Sequence, residues 1–400
     1  MKTQDYIEIE NELGAHNYHP LDVVVETAEG CWVSDVDGKK YLDCLAAYSA
    51  VNQGHCHPKL FKTFVQQAAK VTLTSRAFRN DQLPRLYKKL HEMTGYEMSL
   101  PMNSGAEAVE TAIKLARRWA YDVKGVEENK AEIIVATGNF HGRTSTIVGF
   151  SDDPSSFKGY GPYCNEAFPM HEYGNADDLR SKITPNTAAV LVEPIQGEGG
   201  IVIPPEGYLK AVAQICKDNN VLFICDEIQA GLGRSGKLFA HYYENVRPDM
   251  VIIGKALSGG YYPVSAVLAD KAIMLVIKPG EHGSTFGGNP LGAAVAVRAL
   301  EIIEEENLIE RSNEMGEYFM AKLRQIDSPV IDFVRGRGLW IGFGLKTKAR
   351  PYCELLKLEG LLCKETHENI IRFAPPLVIS KAEIDWAIEK ITKVVKGLDK

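Results

Sequence analysis

The sequence predicts an α/β protein in which a large domain with a mainly parallel sheet is joined to a smaller α+β domain. A chain of 400 residues exceeds what one hydrophobic core usually organises. Short β-branched runs alternate with helical segments through the middle of the chain. After about Glu305 the pattern changes to charged helices and short strands. We therefore expect an N-terminal segment at 1–44, a large domain at 45–305 and a small domain at 306–400.

The N-terminal segment contains a predicted β-hairpin. Its strand-like runs, Gly30–Val36 and Lys40–Leu42, flank Asp37 and Gly38. An Asp-Gly pair between two apolar runs is a strong hairpin signal. We expect this segment to pack beside the C-terminal domain.

The middle of the chain has the pattern of a parallel sheet covered by helices. Apolar, β-branched runs of this kind are typical of strands that are buried on both faces. They occur at Glu132–Ala136, Ala188–Val192, Val221–Cys225 and Met250–Ile253. Apolar residues at helical spacing predict helices at Ala106–Ala120 and Gly207–Asp218.

The C-terminal part has a different pattern, typical of an α+β unit. A charged helix is predicted near Glu310–Arg324 and a terminal helix around Lys381–Lys396. The predicted strands between them are Val330–Val334, Leu339–Leu345 and Ile370–Phe373. We expect these elements to form the smaller domain.

The charge and hydropathy patterns exclude several classes of protein. The chain carries 45 Lys and Arg against 52 Asp and Glu, a net charge of −7, and it has no basic block. We therefore expect no nucleic-acid partner. The longest apolar runs are too short to cross a bilayer, so we expect no membrane span. The acidic segment Met1–Leu13 lacks an apolar leader core, which favours a cytoplasmic location.

The cysteine pattern favours neither disulfides nor a metal centre. Eight Cys are scattered singly without a C-x-x-C pair, as expected for thiols in a reducing compartment. His55, Cys56 and His57 are adjacent to Pro58 and have no second cluster of ligands, so they are poorly suited to close a tetrahedral metal site. We expect no metal.

An acid and a lysine follow two successive predicted strands. Asp226 and Glu227 follow the first of these strands, and Gly254 and Lys255 follow the second. Reactive groups in open α/β sheets collect at the carboxyl ends of strands. A lysine there can be partly desolvated, which lowers its pKa and favours a Schiff base with a carbonyl. From its position alone, Lys255 is equally compatible with a solvated surface lysine.

The pairing of Asp226 with Lys255 points to a cofactor. A carboxylate at a buried strand end is costly unless it faces a cation or hydrogen-bond donors. A protonated pyridine nitrogen is such a cation, and pyridoxal phosphate (PLP) requires both a lysine for its aldehyde and an acid for its ring nitrogen. A structural salt bridge is the alternative role for Asp226.

Two segments have the features of phosphate-binding loops. Asn103–Glu107 opens a predicted helix with a capping residue and a small glycine, which is a ready anion site. Gly283–Pro290 is rich in hydroxyls and backbone donors. The alternatives are an ordinary capped helix and a long loop.

A competing motif matches the dinucleotide-binding fingerprint G-x-G-x-x-G. It runs from Gly231 to Gly236. Four residues separate it from Asp226, the end of the preceding strand, and the next strand ends in Lys255 where a ribose-binding acid is expected. We therefore reject this interpretation.

These motifs together resemble the class III aminotransferases of the fold-type I PLP enzymes. The resemblance covers nearly the whole chain and implies a large domain with a mainly parallel, seven-stranded sheet, PLP as cofactor, and a homodimer or tetramer with active sites at a subunit interface. Its ordered segments are NSGAEAVETAIKLAR from Asn103, NFHGRT from Asn139, EPIQGEGG from Glu193, FICDEIQAGLGRSG from Phe223, GKALSGG from Gly254 and GSTFGGNP from Gly283.

The resemblance assigns roles to the cofactor-binding residues. Lys255 would form the Schiff base and then move a proton, Asp226 would pair with the pyridine nitrogen, and Gln229 would contact the ring hydroxyl. Phe140 would stack on one face of the ring and Ile228 on the other, so that Lys255, Asp226 and Phe140 are the expected catalytic residues. The phosphate would be held by Ser104, Gly105, Ala106 and, from the neighbouring subunit, Ser284 and Thr285.

Further segments resemble members of the family that transfer the δ-amino group of L-ornithine to 2-oxoglutarate. That reaction gives L-glutamate and glutamate 5-semialdehyde, which cyclises to pyrroline-5-carboxylate. The segments are GAHNYHPL from Gly14, YSAVNQGHCHPK from Tyr48, TSRAFRND from Thr74, ENVRPD from Glu244 and IRFAPPLV from Ile371.

The same resemblance assigns the substrate contacts. Arg372 would bind the α-carboxylate of glutamate or 2-oxoglutarate, and Glu198 would pair with Arg372 when ornithine is bound. Arg143 would bind the ornithine α-carboxylate through bidentate hydrogen bonds. Tyr18 and Tyr48 would line the ornithine end of the site.

Two alternatives to this activity remain. Aminotransfer from acetylornithine or 4-aminobutyrate would use the same cofactor chemistry. A non-catalytic homologue that keeps the fold as a scaffold belongs to another class of function, and the presence of both Lys255 and Asp226 argues against it.

Overall fold

The computed structural model describes residues 1–397, so the last three residues of the predicted C-terminal domain lie outside the described part. The strands are β1 Val25–Glu29, β2 Trp32–Asp35, β3 Lys40–Asp43, β4 Met98–Met102, β5 Glu132–Ala136, β6 Met170–His171, β7 Thr187–Val192, β8 Leu222–Asp226, β9 Met250–Ile253, β10 Ser265–Ala269, β11 Ile331–Arg337, β12 Trp340–Leu345, β13 Leu361–Leu362, β14 Lys364–Thr366 and β15 Ile370–Phe373.

The α-helical segments precede, separate and follow these strands. They are α1 Thr3–Leu13, α2 Ala46–Ser49, α3 Pro58–Ala68, α4 Leu83–Thr94, α5 Gly105–Trp119, α6 Ser145–Val148, α7 Pro154–Phe157, α8 Ala176–Lys182, α9 Tyr208–Asp218, α10 Lys271–Met274, α11 Pro290–Glu305, α12 Leu308–Arg324, α13 Arg350–Leu358 and α14 Lys381–Gly397. In the part of the chain that the structure describes, no helix combines the length and the apolar character needed to cross a membrane.

The large sheet has seven strands in the order β4-β10-β9-β8-β7-β5-β6. β5 to β9 pair in parallel, and β10 is antiparallel to both of its neighbours. The expectation of a mainly parallel, seven-stranded sheet is therefore confirmed. Strands β7, β8 and β9 are buried along their whole length, as expected for strands covered by helices on both faces.

Two four-stranded sheets lie outside the large one. The first has the order β1-β2-β3-β13, and β13 pairs in parallel with β3 through Leu361 and Leu42. The second, β11-β12-β15-β14, is antiparallel. The N-terminal hairpin is thus completed by a strand from the C-terminal part of the chain.

One large apolar core connects the helices beside the large sheet with the second small sheet. It contains Leu300 of α11, Phe319 of α12, Phe343 of β12 and Phe373 of β15, all of them fully or almost fully buried. Burying side chains of this size stabilises a fold by roughly 1.5–3 kcal/mol each. Because the core is continuous, it fixes β15 relative to the large sheet.

The segment α2 is a left-handed turn. Its four residues Ala46, Ala47, Tyr48 and Ser49 have φ of 49°, 47°, 57° and 72°. Left-handed geometry costs roughly 1–2 kcal/mol per non-glycine residue. Asp43 offsets part of this cost, because its Oδ1 accepts hydrogen bonds from the amides of Leu45 and Ala46 at 2.8 and 3.0 Å.

The end of β15 is tied to the start of this turn. The amide of Ala374 donates to the carbonyl oxygen of Cys44 at 2.7 Å. The other oxygen of Asp43 lies 2.7 Å from Nε2 of His55. Tyr48 therefore lies in a strained turn that is stabilised by the hydrogen bonds of Asp43 and by the bond between Ala374 and Cys44.

Candidate active site

A cavity of about 190 Å³ lies at the carboxyl ends of the central strands of the large sheet. Larger grooves of about 1040 and 450 Å³ occur elsewhere, but neither contains Asp226 or Lys255. The residues that line the small cavity are Gly105, Ala106, Phe140, His141, Gly142, Glu193, Ile195, Asp226, Ile228, Gln229, Ala230 and Lys255. Seven of the residues expected to bind a cofactor are therefore brought together here.

Lys255 follows β9 and enters the cavity from a strained backbone, with φ of +44°. Burial and the nearby charge of Arg372 together lower the pKa of its amine to about 8, against the opposing charges of Glu198, Asp226 and Glu193. A substantial fraction of the amine is therefore neutral at mildly alkaline pH. The structure thus favours the nucleophilic lysine over the solvated surface lysine.

Asp226 is the last residue of β8 and is 5% exposed. Its Oδ1 accepts a hydrogen bond from the amide of Ile228 at 3.0 Å, and its Oδ2 lies 2.7 Å from Nδ1 of His141. No Lys or Arg in the described residues 1–397 forms an ion pair with it. The salt-bridge alternative for Asp226 is therefore limited to His141, and the place of Asp226 on the cavity wall also suits it to bind a cofactor.

The N-terminus of α5 opens onto the same cavity. Ser104 caps this helix: its Oγ accepts the amide of Glu107 at 3.2 Å, and its own amide donates to the Glu107 carboxylate at 2.7 Å. Gly105 and Ala106 lie in the first turn, where amides have no partner within the helix. A Cβ on Gly105 would come within 3.0 Å of Ile228, so a larger residue would crowd the cavity wall. The helix end is suited to bind a phosphate.

The second predicted phosphate loop lies beside this helix end. Ser284 Oγ accepts a hydrogen bond from Nδ2 of Asn103 at 2.9 Å within the same chain. Thr285 is exposed.

The cavity fits PLP in its chemistry. Lys255 supplies a neutral amine for the aldehyde, Asp226 a carboxylate for the ring nitrogen, and the α5 N-terminus donors for the phosphate. Phe140 and Ile228 supply apolar wall. When bound, PLP acts as the electron sink that stabilises negative charge on a substrate carbon.

A second cluster lies next to the cavity and is formed by the expected substrate residues. Arg372 of β15 is 1% exposed, and its Nη2 lies 3.1 Å from Glu198 Oε1 and 3.0 Å from the carbonyl oxygen of Gly197. Its Nη1 donates to Gln229 Oε1 at 3.3 Å. The guanidinium carbon is 5.4 Å from the centre of the Tyr48 ring. Glu198, Arg372 and Tyr48 are therefore in contact.

Electrostatics keep Glu198 ionised in this cluster. Burial opposes the carboxylate, but the charges of Arg372 and Lys255 and the hydrogen bonds to Arg372 and Gln229 lower its pKa below the ordinary value. Glu198 and Arg372 thus form an ion pair with no net charge.

Two expected substrate residues lie outside these clusters. Tyr18 is 71% exposed. Arg143 is exposed as well, and its guanidinium carbon lies 5.4 Å from the centre of the Phe140 ring. Arg143 is thus close to the cavity wall. Tyr18 is largely exposed in the single chain but lies near Tyr48, whose pKa is raised by burial and further by the charges of Glu198 and Tyr18.

Sequence reasoning assigned no role to two buried residues of the cavity, Glu193 and His141. Glu193 immediately follows β7, so the rule that found Asp226 and Lys255 at strand ends would have found it too. Its two oxygens accept the amides of Phe140 and Gly197 at 3.0 and 3.2 Å. Burial and the charge of Asp226 together raise its pKa to about 7, against the opposing charge of His141.

The rejected dinucleotide motif has a structural role. Arg234, inside it, is fully buried and donates from Nη1 to the carbonyl oxygens of Leu339 and Pro375 at 2.8 and 2.7 Å. Burial lowers the pKa of this guanidinium to about 9. The glycine-rich turn therefore anchors the C-terminal part of the chain.

Known proteins resemble the chain over almost its full length. A curated protein from Brevibacillus brevis named ornithine aminotransferase is 61% identical over 98% of both chains. A solved ornithine aminotransferase from Toxoplasma gondii, described with partial PLP occupancy at its active site, is 40% identical with a TM-score of 0.97, covering 99% of this chain and 94% of that one. A solved acetylornithine aminotransferase from Elizabethkingia anophelis is 47% identical with a TM-score of 0.90, covering 99% and 100%.

The family assignment rests on a match to the model for class-III aminotransferases over residues 13–395. It confirms the expected enzyme class and, with the PLP-containing relative, the expected cofactor. The chain belongs to the class-III aminotransferases, which depend on pyridoxal phosphate.

Proposed function

We propose that this enzyme transfers the δ-amino group of L-ornithine to 2-oxoglutarate. The products are L-glutamate and glutamate 5-semialdehyde, which cyclises to pyrroline-5-carboxylate. The observation that carries the proposal is the ion pair between Glu198 and Arg372, with 3.1 Å between Oε1 and Nη2, beside the Lys255 cavity. The high identity to curated ornithine aminotransferases supports it.

The proposal explains why a buried arginine has a partly exposed acid as its partner. The two half-reactions require one site to accept a cationic diamino acid and then a dicarboxylate. When Glu198 neutralises Arg372, the site attracts no carboxylate and tolerates the ornithine side of the reaction. When Glu198 moves aside, Arg372 is free to bind the α-carboxylate of glutamate or 2-oxoglutarate through its planar donors.

The remaining roles follow from position. Lys255 Nζ would carry the proton to and from the substrate carbon that bears the amino group. Asp226 would hold the ring nitrogen protonated, Gln229 the ring hydroxyl, and Phe140 and Ile228 the two faces of the ring. The phosphate would be bound by Ser104, Gly105, Ala106 and, from the neighbouring subunit, Ser284 and Thr285.

The substrate would be oriented from two directions. Arg143 would bind the ornithine α-carboxylate, and Tyr48, which lies over Arg372, would line the path of the side chain. We assign Tyr18 to the same end of the site. Its 71% exposure in the single chain fits a residue that a second subunit covers.

We also propose a cytoplasmic homodimer, or a tetramer made of two such dimers, with domains at 1–44, 45–305 and 306–400. The pairing of β3 with β13 supports an N-terminal segment that packs on the C-terminal domain. The boundary after residue 305 coincides with the end of α11. Sedimentation of the PLP-loaded protein and limited proteolysis test the two parts of this proposal separately.

Acetylornithine is the second candidate donor. The 47% identity to a solved acetylornithine aminotransferase favours it. Both donors would use the same cavity chemistry. The δ-amine is the group transferred from both donors. The α-amine is free in ornithine and acetylated in N-acetylornithine.

The deciding experiment offers each donor separately to the PLP-loaded enzyme with 2-oxoglutarate. Pyrroline-5-carboxylate is trapped with an aminobenzaldehyde and glutamate is quantified independently. Trapped pyrroline with ornithine supports the proposal. Glutamate formed only with N-acetylornithine, or only with 4-aminobutyrate, overturns it while leaving the family assignment intact.

A further inference from the structure

Two cations from the C-terminal part of the chain bind the segment that carries Tyr18. Arg350, at the start of α13, donates from Nη1 and Nη2 to the carbonyl oxygens of His19 and Pro20 at 3.1 and 2.8 Å. Lys364, on β14, donates from Nζ to the same His19 oxygen at 3.0 Å. Three donors from two elements thus converge on two successive carbonyls, which directly follow Tyr18 in the chain.

We propose that Arg350, assisted by Lys364, is a positioning residue for the amino donor, because it holds residues 14–20 where Tyr18 can line the donor end of the site. This role rests on the proposed function, which assigns Tyr18 to that end. Neither cation contacts the substrate in this role. Both act through the backbone of the segment that they bind.

The segment formed by residues 14–20 has little other support. It contains neither helix nor strand, and each of its residues is exposed in the single chain. Among the hydrogen bonds of the described residues 1–397, those from Arg350 and Lys364 join the segment to the part of the chain beyond α1. Leu21, the next residue, packs against the large apolar core. The position of Tyr18 therefore depends on the two carbonyls that follow it.

The register of the second small sheet places Lys364 beside the substrate cluster. β14 pairs antiparallel with β15, and Lys364 lies opposite Arg372. Residues directly opposite in such a pair share a face, and so does Thr366, two residues further along the strand. Thr366 Oγ1 donates to the carbonyl oxygen of Glu198 at 2.7 Å. One face of this sheet therefore supplies Arg372 and the residues that hold the backbones of Glu198 and His19.

Arg350 is itself fixed by two carboxylates. Its Nε donates to Glu354 Oε1 at 2.8 Å, and its Nη1 donates to Glu365 Oε1 at 3.2 Å. Lys364 Nζ lies 3.2 Å from the same Glu365 oxygen. The Arg350 side chain is 21% exposed. A planar guanidinium shared between two carboxylates and two carbonyls has one orientation, so it is a fixed point for the segment.

Tyr18 is close enough to the substrate cluster to be felt there. Burial and the charge of Glu198 raise the pKa of Tyr48, against the opposing charge of Arg372, and Tyr18 adds to the rise. Tyr18 thus lies within electrostatic range of Tyr48. Release of residues 14–20 would move Tyr18 away from Tyr48 and widen the donor end of the site.

The test removes the donors and leaves the site residues intact. Arg350→Gln removes the fork that binds both carbonyls, whereas Arg350→Lys keeps the charge and loses the planar geometry. Arg298→Gln is the matched control, because Arg298 is 20% exposed and also binds two carboxylates, those of Glu301 and Glu305. Kinetics of the PLP-loaded, full-length enzyme are measured separately for the amino donor and for glutamate.

We expect Arg350→Gln to raise the KM for the amino donor about tenfold, with kcat and the glutamate kinetics within about twofold of the wild type. Arg350→Lys should give an intermediate KM, and Arg298→Gln should match the wild type. A merely structural role would lower the melting temperature and impair both half-reactions alike. An unchanged donor KM in Arg350→Gln, or an equal loss in both half-reactions, would overturn the proposal.

A double substitution tests whether Arg350 acts through Tyr18. Tyr18→Ala should raise the donor KM by itself. In that background Arg350→Gln should add no more than about twofold, because residues that act through one another are not additive. Full additivity of the two substitutions would refute the proposal, and so would wild-type kinetics of Tyr18→Ala.

Limited proteolysis gives a readout that does not depend on activity. Chymotrypsin cleaves after exposed aromatic residues, and mass spectrometry identifies the product that lacks residues 1–18. This product should form about tenfold faster in Arg350→Gln than in the wild type, because cleavage requires the segment to leave its place. Equal rates in the two proteins would contradict the role of Arg350.

The outcomes separate this role from the proposed substrate. The kinetic comparison uses whichever donor the wild-type enzyme accepts. A wild-type enzyme that ignores ornithine overturns the proposed substrate, and the response of its accepted donor to Arg350→Gln still decides the role of Arg350. Conversely, an ornithine-active enzyme with an unchanged Arg350→Gln variant overturns the positioning role alone.

Discussion

Arg372 and Glu198 form an ion pair whose two sides differ sharply in exposure: the arginine side chain is 2% exposed and the glutamate 36%. The arginine is held by further hydrogen bonds to Gly197 and Gln229. Glu198 is thus the less buried partner. A change of charge at this site is therefore achieved most easily by moving the glutamate.

The first prediction concerns Glu198→Gln. Removing the negative charge leaves Arg372 free to attract carboxylates, so glutamate and 2-oxoglutarate should bind better and ornithine worse. We expect the ratio of kcat/KM for ornithine to that for glutamate to fall about tenfold, equivalent to about 1.4 kcal/mol. Steady-state kinetics of both half-reactions measure it. Asp270→Asn, which breaks a surface pair with Arg247, should leave the ratio unchanged; an unchanged ratio in Glu198→Gln would contradict the switch.

The second prediction concerns the reactivity of Lys255. Because the neutral amine attacks the PLP aldehyde and the pKa of Lys255 is lowered to about 8, covalent uptake of PLP by the cofactor-free protein should accelerate through pH 8 and then level off. Stopped-flow absorbance follows the rate. Lys255→Ala should show no band that borohydride fixes to the protein. A rate of PLP uptake that keeps rising toward pH 10 would show that the pKa of Lys255 is not lowered and would contradict the prediction.

The third prediction concerns Glu193 and the pH dependence of stability. Its pKa is about 7 in the folded protein against an ordinary value of 4.5. Between these values the folded state holds a proton that the unfolded state releases, so folding stability falls as pH rises through this window. Glu193→Gln has no such proton to lose. Relative to the wild type, the cofactor-free variant should gain about 3 kcal/mol between pH 4 and 8 in urea unfolding; parallel pH profiles would argue against it.

The fourth prediction concerns the left-handed turn. Ala47 is exposed and has φ of +47°, a conformation that glycine adopts without the Cβ penalty. Ala47→Gly should therefore raise the free energy of unfolding by about 1 kcal/mol. Ala50→Gly is the matched control, because Ala50 has φ of −88° and the substitution there should cost about 0.5–1 kcal/mol. Unfolding at fixed protein concentration measures both, and equal destabilisation would show that the turn is unstrained.

The chemistry of the cofactor site was largely predictable from local patterns. β5 and β9 have the bounds expected from their β-branched runs, and Asp226 and Lys255 lie at neighbouring strand ends. The observed β8 ends one residue later than expected, which places Asp226 on the strand itself. Local sequence specifies buried parallel strands well, because each is a short and continuous apolar run.

The edge of the large sheet was not predicted. β4 contains Pro101 and no β-branched residue, and β10 contains only Val267 of that kind. β4 pairs antiparallel with β10, and β10 pairs antiparallel with β9. Their strand conformation therefore depends on pairing with neighbouring strands more than on local sequence. The long helix α11 also went unpredicted, because its first two turns are buried nearly all round and lack an amphipathic pattern.

The contacts on the substrate side depend on tertiary structure that no local pattern encodes. Nothing in the residue types of Ala46, Ala47, Tyr48 and Ser49 predicts four positive φ angles. The turn is imposed by Asp43 and by the bond between Ala374 and Cys44. Likewise, the contact of Glu198 with Arg372 required the family resemblance, since Glu198 lies in a turn after β7 and Arg372 lies far along the chain on β15.

The hydrogen bond between Ala374 and Cys44 joins two distant parts of the chain that supply residues on the substrate side, whereas the cofactor-site residues come from the part between them. Lys255, Asp226 and the α5 N-terminus all come from the central part of the chain, whereas Tyr48 and Arg372 come from near its two ends and meet beside this link. Mutations near the termini can therefore alter which amino donor is accepted while the bond-making residues stay untouched. Such an arrangement lets one ancestral catalyst diversify into relatives with different substrates.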